Sequence, residues 1–114
     1  NPHCESNFKS SEEKKEIIPA IKHLYKKRFR VEGPFAADTI FTKEVSKNFD
    51  VIIGMYHDQV LTPIKTMFNF NAINITLGLP FIRISPDHGP NFKMLGKNLS
   101  NPESLIKALN FLDK

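Results

Sequence analysis

The chain has 114 residues, a formal net charge of +4, a single cysteine and 40% hydrophobic residues, which suits one domain with a modest core. One cysteine, Cys4, excludes an internal disulfide framework and fits a reducing compartment, so a cytoplasmic protein is expected. No apolar stretch approaches the ~20 residues that cross a bilayer, so a soluble protein without a membrane partner is expected.

The sequence opens on Asn1-Pro2-His3, without an initiator Met or a signal-peptide core. That opening reads as the inside of a loop, so a fragment of a longer chain is expected. Ser10-Ser11-Glu12-Glu13 has the form of a capping box and predicts a helix to about Lys27. Ile17, Ile21 and Leu24 fall on one face of it, with Ile18 and Tyr25 beside them. Pro19 should bend this helix or mark its true beginning. Most of the positive excess lies at Lys22, Lys26, Lys27, Arg28 and Arg30. Without interleaved aromatics this cluster reads as a solvated helix end that complements the helix dipole, so nucleic acid is not the expected partner.

Phe29 to Glu32 is a short strand candidate closed by Gly33-Pro34, and Asp38 or Thr39 can cap a second short helix through Lys47. Val51-Ile52-Ile53 reads as a buried strand and Leu61 to Phe68 as a helix with Pro63 in its first turn. Ile73 to Leu77 and Phe81 to Ser85 read as further strands. Asn101-Pro102-Glu103 is a helix start with Asn at the cap, after which Leu105, Ile106, Leu109 and Leu112 form an expected buried stripe. This alternation predicts an α/β layer with a mixed or largely parallel sheet.

The residues that could carry chemistry lie mainly in turn-rich segments. Of the four histidines, His23 sits among lysines on a helix, whereas His3, His57 and His88 are flanked by Pro, Asp or Gly. His57 and Asp58 should stand at the mouth of the strand that precedes them. Neutral imidazole ligates zinc and similar ions, but His3 and His57 are too far apart in sequence for spacing to distinguish joint ligation from two backbone-bonded loop histidines. Cys4 beside His3 lacks spaced partners and reads as incidental. Arg83 interrupts an apolar strand. It would either grip a carboxylate or phosphate or pair internally with Asp87 or Asp38. Lys65 by itself reads as a surface residue, and Asp38 as a helix cap or as support for a metal or catalytic group. His88-Gly89 and Gly96-Lys97 resemble a turn that wraps a ligand, without the fingerprint of a Rossmann dinucleotide site.

Asn1-Pro2-His3, Gly33-Pro34 with Ala37-Asp38-Thr39, Met55-Tyr56-His57-Asp58-Gln59 and the run from Asn74 to Arg83 together resemble the 4-hydroxythreonine-4-phosphate dehydrogenase family. The resemblance covers essentially the whole chain as the C-terminal third of the family's usual length. It implies an isocitrate/isopropylmalate dehydrogenase-like α/β fold, with a mixed sheet flanked by helices. It also implies a homodimer with its active site at the subunit interface. The implied activity is NAD-dependent oxidation of 4-phosphooxy-L-threonine, a small phosphorylated amino acid, to a β-keto acid that loses carbon dioxide in pyridoxine biosynthesis.

By the same resemblance, His3 and His57 are two of three histidines on a divalent metal (zinc, magnesium or cobalt), the third lying upstream. Lys65, Asn74 and Arg83 match substrate-binding residues, and Asp38 and Lys65 are the catalytic candidates. His88, Gly89, Gly96 and Lys97 match an adenosine-side cofactor loop. The isolated fragment is then expected to be inactive. Departures from the family pattern are Cys4-Glu5-Ser6 after His3, Val60 after Gln59, Pro90-Asn91 after Gly89, and Lys93. Two alternatives stay open: a sister dehydrogenase acting on another hydroxy acid, and a non-catalytic metal- or partner-binding domain.

Overall fold

The computed structural model describes residues 12–89 and 92–113. His3, Cys4 and the start of the Ser10 capping box lie outside these residues, as do Pro90 and Asn91. The chain divides into two compact units, Asn1–Gln59 and Val60–Lys114.

In the first unit, a π-helical turn at Glu13–Ile17 leads into helix α1, Ile18–Lys26. Pro19 lies in the first turn of α1. Its ring and missing N–H disfavour an ordinary turn just upstream, so the widened turn ends where proline becomes tolerable. Ile17, Ile18, Ile21 and Leu24 are half-buried, as their spacing requires, while Tyr25 is exposed. The helix closes as a Schellman motif: Phe29 N–H reaches Leu24 O and Arg28 N–H reaches Tyr25 O. Arg28 occupies the left-handed position, with φ +68°, where an L side chain is strained. Replacing Arg28 with Gly is therefore expected to stabilise the protein by about 1 kcal/mol despite the lost cation near the helix end. A lower melting temperature would contradict this.

The expected strand from Phe29 to Glu32 does not form. Phe29 spends its N–H on the helix closure, and Gly33, at φ +136°, turns the chain in a conformation that disfavours any side chain. A Cβ added at Gly33 would meet Ile21 Cδ1 at 3.5 Å, so this turn lies against the α1 face. The expected helix start at Asp38 or Thr39 is replaced by consecutive turns, in which the Thr39 and Thr42 hydroxyls donate to Ala36 O and Thr39 O. Hydroxyls that bond the backbone locally compete with helix. Helix α2, Lys43–Ser46, begins after an extended Thr42. Ile40 is buried, and Phe35 meets Phe49 edge-on at 5.2 Å.

Val51-Ile52-Ile53 is not a buried strand. Val51 is 73% and Ile53 74% exposed, and the sheet among the described residues has two strands, both elsewhere. An apolar run becomes a strand only where another strand takes its ladder hydrogen bonds. His57 and Asp58 consequently begin helix α3, His57–Phe68, four residues before the expected start at Leu61, rather than ending a strand.

In the second unit, β1 (Ile73–Thr76) pairs antiparallel with β2 (Arg83–Pro86), with Asn74 opposite Ser85 and Thr76 opposite Arg83. The connection from 77 to 82 is too short for the crossover that parallel pairing needs, so the expected mixed or parallel sheet gives way here to an antiparallel ribbon. Helix α4, Glu103–Leu112, packs against both strands. Asn101 Oδ1 accepts Glu103 N–H at 2.8 Å, the expected cap. The expected leucine stripe is not the buried face. Leu105, Ile106, Leu109 and Leu112 are each about half exposed, while Ser104 and Ala108 are buried. Small residues one turn apart let helix and ribbon approach closely. Among the described residues no helix is long and apolar enough to cross a membrane.

Candidate active-site residues

His57 and Asp58 are displayed by a helix start that their neighbour builds. Gln59 Oε1 accepts the backbone N–H groups of Met55 and Tyr56, each at 3.2 Å. This is the side-chain half of a capping box, satisfying donors ahead of the first turn. Asp58 adds negative charge where the helix dipole favours it. His57 Nδ1 lies 2.9 Å from Asp58 Oδ1, with both side chains well exposed. A carboxylate on Nδ1 leaves Nε2 for a metal, the arrangement ligating imidazoles use. Among the described residues no three His, Cys, Asp or Glu groups come together as a metal centre, so they fit one ligand of such a site and not a complete one. His3, the other proposed ligand, lies outside them. Asp38, also in the first unit, stands exposed in the turn series after Ala36.

The second unit holds the anion-binding candidates. Side chains alternate along strands and opposed residues share a face, so the register places Asn74, Thr76, Arg83 and Ser85 on one side of the ribbon. Ile73, Ile75, Ile84 and Pro86 take the other. Arg83 is exposed rather than buried, and its Nη1 donates to Thr76 Oγ1 at 2.7 Å. Of the two readings of Arg83, an internal pair with Asp87 is not made. A hydroxyl partner orients the guanidinium without neutralising it, and the other N–H donors remain for an anion.

Asp87 instead pairs with Lys65, Nζ to Oδ2 at 3.0 Å. Lys65 is thus not a free surface lysine. Asp87 N–H donates to Ser104 Oγ at 2.9 Å, and that hydroxyl donates to Ala72 O at 2.6 Å. Between α3 and the start of β1 lies an open hollow of about 430 Å³, walled by Val60, Leu61, Ile64 and Phe68, with Asn74 and Asp87 at its polar edge. Lys65, Asp87 and Asn74 therefore belong to one neighbourhood. Arg83 is four positions from Asp87, about 13 Å along an extended chain.

The residues proposed to meet a cofactor lie on either side of Pro90 and Asn91. His88 Nδ1 lies 3.4 Å from its neighbour Gly89 O. Gly96 has φ +72° and Lys97 N–H bonds Met94 O at 3.0 Å, the geometry of a turn following the 3₁₀ helix Phe92–Met94. Sequence reasoning missed Gln59, Thr76 and Ser104. Gln at the third position of α3 was a readable capping signal, and Ser104 with Ala108 marked a small-residue face.

The family described as "Pyridoxal phosphate biosynthetic protein PdxA" matches residues 1–112. A 4-hydroxythreonine-4-phosphate dehydrogenase from Xanthobacter autotrophicus is 44% identical over 110 residues, covering 96% of this chain and 31% of the relative. A provisionally named D-threonate 4-phosphate dehydrogenase from Oceanobacillus iheyensis is 44% identical over 112 residues, covering 96% of this chain and 34% of that one. The crystal structure of 4-hydroxythreonine-4-phosphate dehydrogenase from Klebsiella pneumoniae superimposes with a TM-score of 0.75 at 35% identity, over 96% of this chain and 34% of that chain. The chain thus spans about a third of the length of the relatives it matches. With a family match along nearly its whole length, the chain belongs to the PdxA family of pyridoxal phosphate biosynthetic proteins.

Proposed function

We propose that this chain is the substrate-anion-binding part of a 4-hydroxythreonine-4-phosphate dehydrogenase, an enzyme of pyridoxine biosynthesis. The observation that carries this reading is a pair of oriented cations around one ribbon. Lys65 is held by Asp87 and Arg83 by Thr76, with Asn74 on the same ribbon face as Arg83. 4-Phosphooxy-L-threonine carries a phosphate and a carboxylate at opposite ends. Two separated cations suit such a molecule better than one cluster would. An amide beside them can donate to or accept from its hydroxyl or amine.

In the proposed reaction the hydroxyl-bearing carbon loses hydride and its oxygen a proton, and the resulting β-keto acid releases carbon dioxide to leave 3-amino-2-oxopropyl phosphate. His57 is the imidazole this chain would offer a zinc, magnesium or cobalt ion, whose Lewis acidity toward hydroxyl and carbonyl oxygens suits both stages, with NAD accepting the hydride. Asp58 would hold the His57 ring, and Asp38 and Lys65 are the residues for proton handling near the reacting carbon. The segment with His88, Gly89, Gly96 and Lys97 would meet the cofactor. This reading includes the isocitrate/isopropylmalate dehydrogenase-like fold and a homodimer whose partner completes the site. It also places the enzyme in the cytoplasm, with no role in nucleic-acid binding.

A second substrate has specific support, because one relative is named for D-threonate 4-phosphate. Lys65 and Arg83 recognise anions and do not distinguish an amine from a hydroxyl. The test is NADH formation by the complete protein that carries these residues, with each substrate, before and after chelation of divalent metal. Metal-dependent turnover of 4-phosphooxy-L-threonine, at least about tenfold above that of D-threonate 4-phosphate in kcat/KM, is expected. The reverse preference would make it a sister enzyme, and no turnover of either by the metal-loaded protein would make it a non-catalytic relative. Residues 1–114 alone are expected to form no NADH.

A further inference from the structure

We propose that Asp87 is a positioning residue that aims Lys65 at the substrate anion, and that Ser104 holds Asp87 in place. This inference rests on reading Lys65 as a substrate contact. A lysine ammonium is a compact charge on a flexible stem, and nothing in its own covalent structure directs it. Here the direction comes from outside. Asp87 Oδ2 takes Lys65 Nζ at 3.0 Å, and the Asp87 side chain is only 11% exposed against 39% for Lys65. The carboxylate is therefore the sheltered, fixed partner and the ammonium the presented one.

Asp87 is fixed through its backbone. Its N–H donates to the hydroxyl of Ser104, which is 0% exposed, and Ser104 donates in turn to Ala72 O just before β1. One buried hydroxyl thus ties the residue after β2 to the residue before β1 from the first turn of α4. An ammonium has three donors. With one spent on Asp87, two remain for a phosphate or carboxylate oxygen. Asp87 also lines the hollow together with Asn74, so the Lys65 ammonium it holds stands beside a space that a ligand could enter.

The test is a double-mutant cycle in the complete enzyme, reading KM and kcat for 4-phosphooxy-L-threonine. Lys65→Ala is expected to raise KM about 100-fold and to lower kcat as well, and Asp87→Ala to raise KM about tenfold with a smaller fall in kcat. In the Lys65→Ala background, Asp87→Ala should add nothing. Should the alanine variant fail to fold, Asp87→Asn keeps the volume and a carbonyl acceptor. It should raise KM about threefold, again only when Lys65 is present. An Asp87 effect of equal size in both backgrounds, or no Asp87 effect where Lys65→Ala is damaging, overturns the positioning role. A Lys65→Ala variant with unchanged KM removes the substrate-contact reading itself, and the positioning role with it.

Discussion

Replacing His57 with alanine in the complete protein is expected to empty a divalent-metal site and to reduce metal-dependent turnover by at least about a thousandfold. The first turn of α3 displays the ring. Gln59 caps the helix by taking the Met55 and Tyr56 amides, and Asp58 holds Nδ1 of the imidazole at 2.9 Å. The ring is exposed and contributes no buried packing, so its removal should leave the thermal stability of the metal-free protein within about 0.5 kcal/mol of the parent. Metal content after gel filtration, measured independently of activity, should fall below stoichiometric. Asp58→Ala should keep a ligand but lose its orientation, weakening metal affinity about 10- to 100-fold. A His57→Ala protein that retains full metal and full turnover would exclude His57 as a ligand.

The second large effect is expected at Ser104. Its hydroxyl is fully buried and makes two hydrogen bonds, one as acceptor from Asp87 N–H and one as donor to Ala72 O. Alanine removes one oxygen and leaves both backbone groups, which belong to half-buried residues, without that partner. Each such loss costs about 1–3 kcal/mol, so Ser104→Ala should destabilise the protein by about 3 kcal/mol in urea unfolding. A substitution to Val or Leu should be worse, because the β-ribbon leaves no room for a larger side chain at a 0% exposed position. A Ser104→Ala protein as stable as the parent would mean that the bridge between the two strand ends is not a structural clamp.

Much of the fold was legible from local signals. The α1 face, the arrival of α-helix at Pro19, the two strands of the ribbon and the Asn101 cap were readable because each depends on residues within about one helical turn or on strand alternation. Two interior-looking segments failed for the opposite reason. Val51 to Ile53 and Phe29 to Glu32 have strand composition, but a strand needs a partner, and apolar alternation cannot name one. The α4 stripe failed similarly. The leucines satisfy helical periodicity, yet the ribbon accepted Ser104 and Ala108, whose small side chains permit close approach.

The candidate site divides along the same line. The sequence by itself determined the family and the chemistry-bearing residue types, both written in contiguous motifs, whereas the helix start that displays His57 was expected four residues later, at Leu61. Only the tertiary structure decided the partners: Asp87 goes to Lys65 and not to Arg83, Thr76 takes Arg83, and Ser104 binds both ends of the ribbon. A hydrogen bond within a helical turn is set by neighbouring residues. An ion pair or a buried hydroxyl between elements depends on how segments remote in sequence come together, and the same Asp87 could have satisfied either cation until the chain folded.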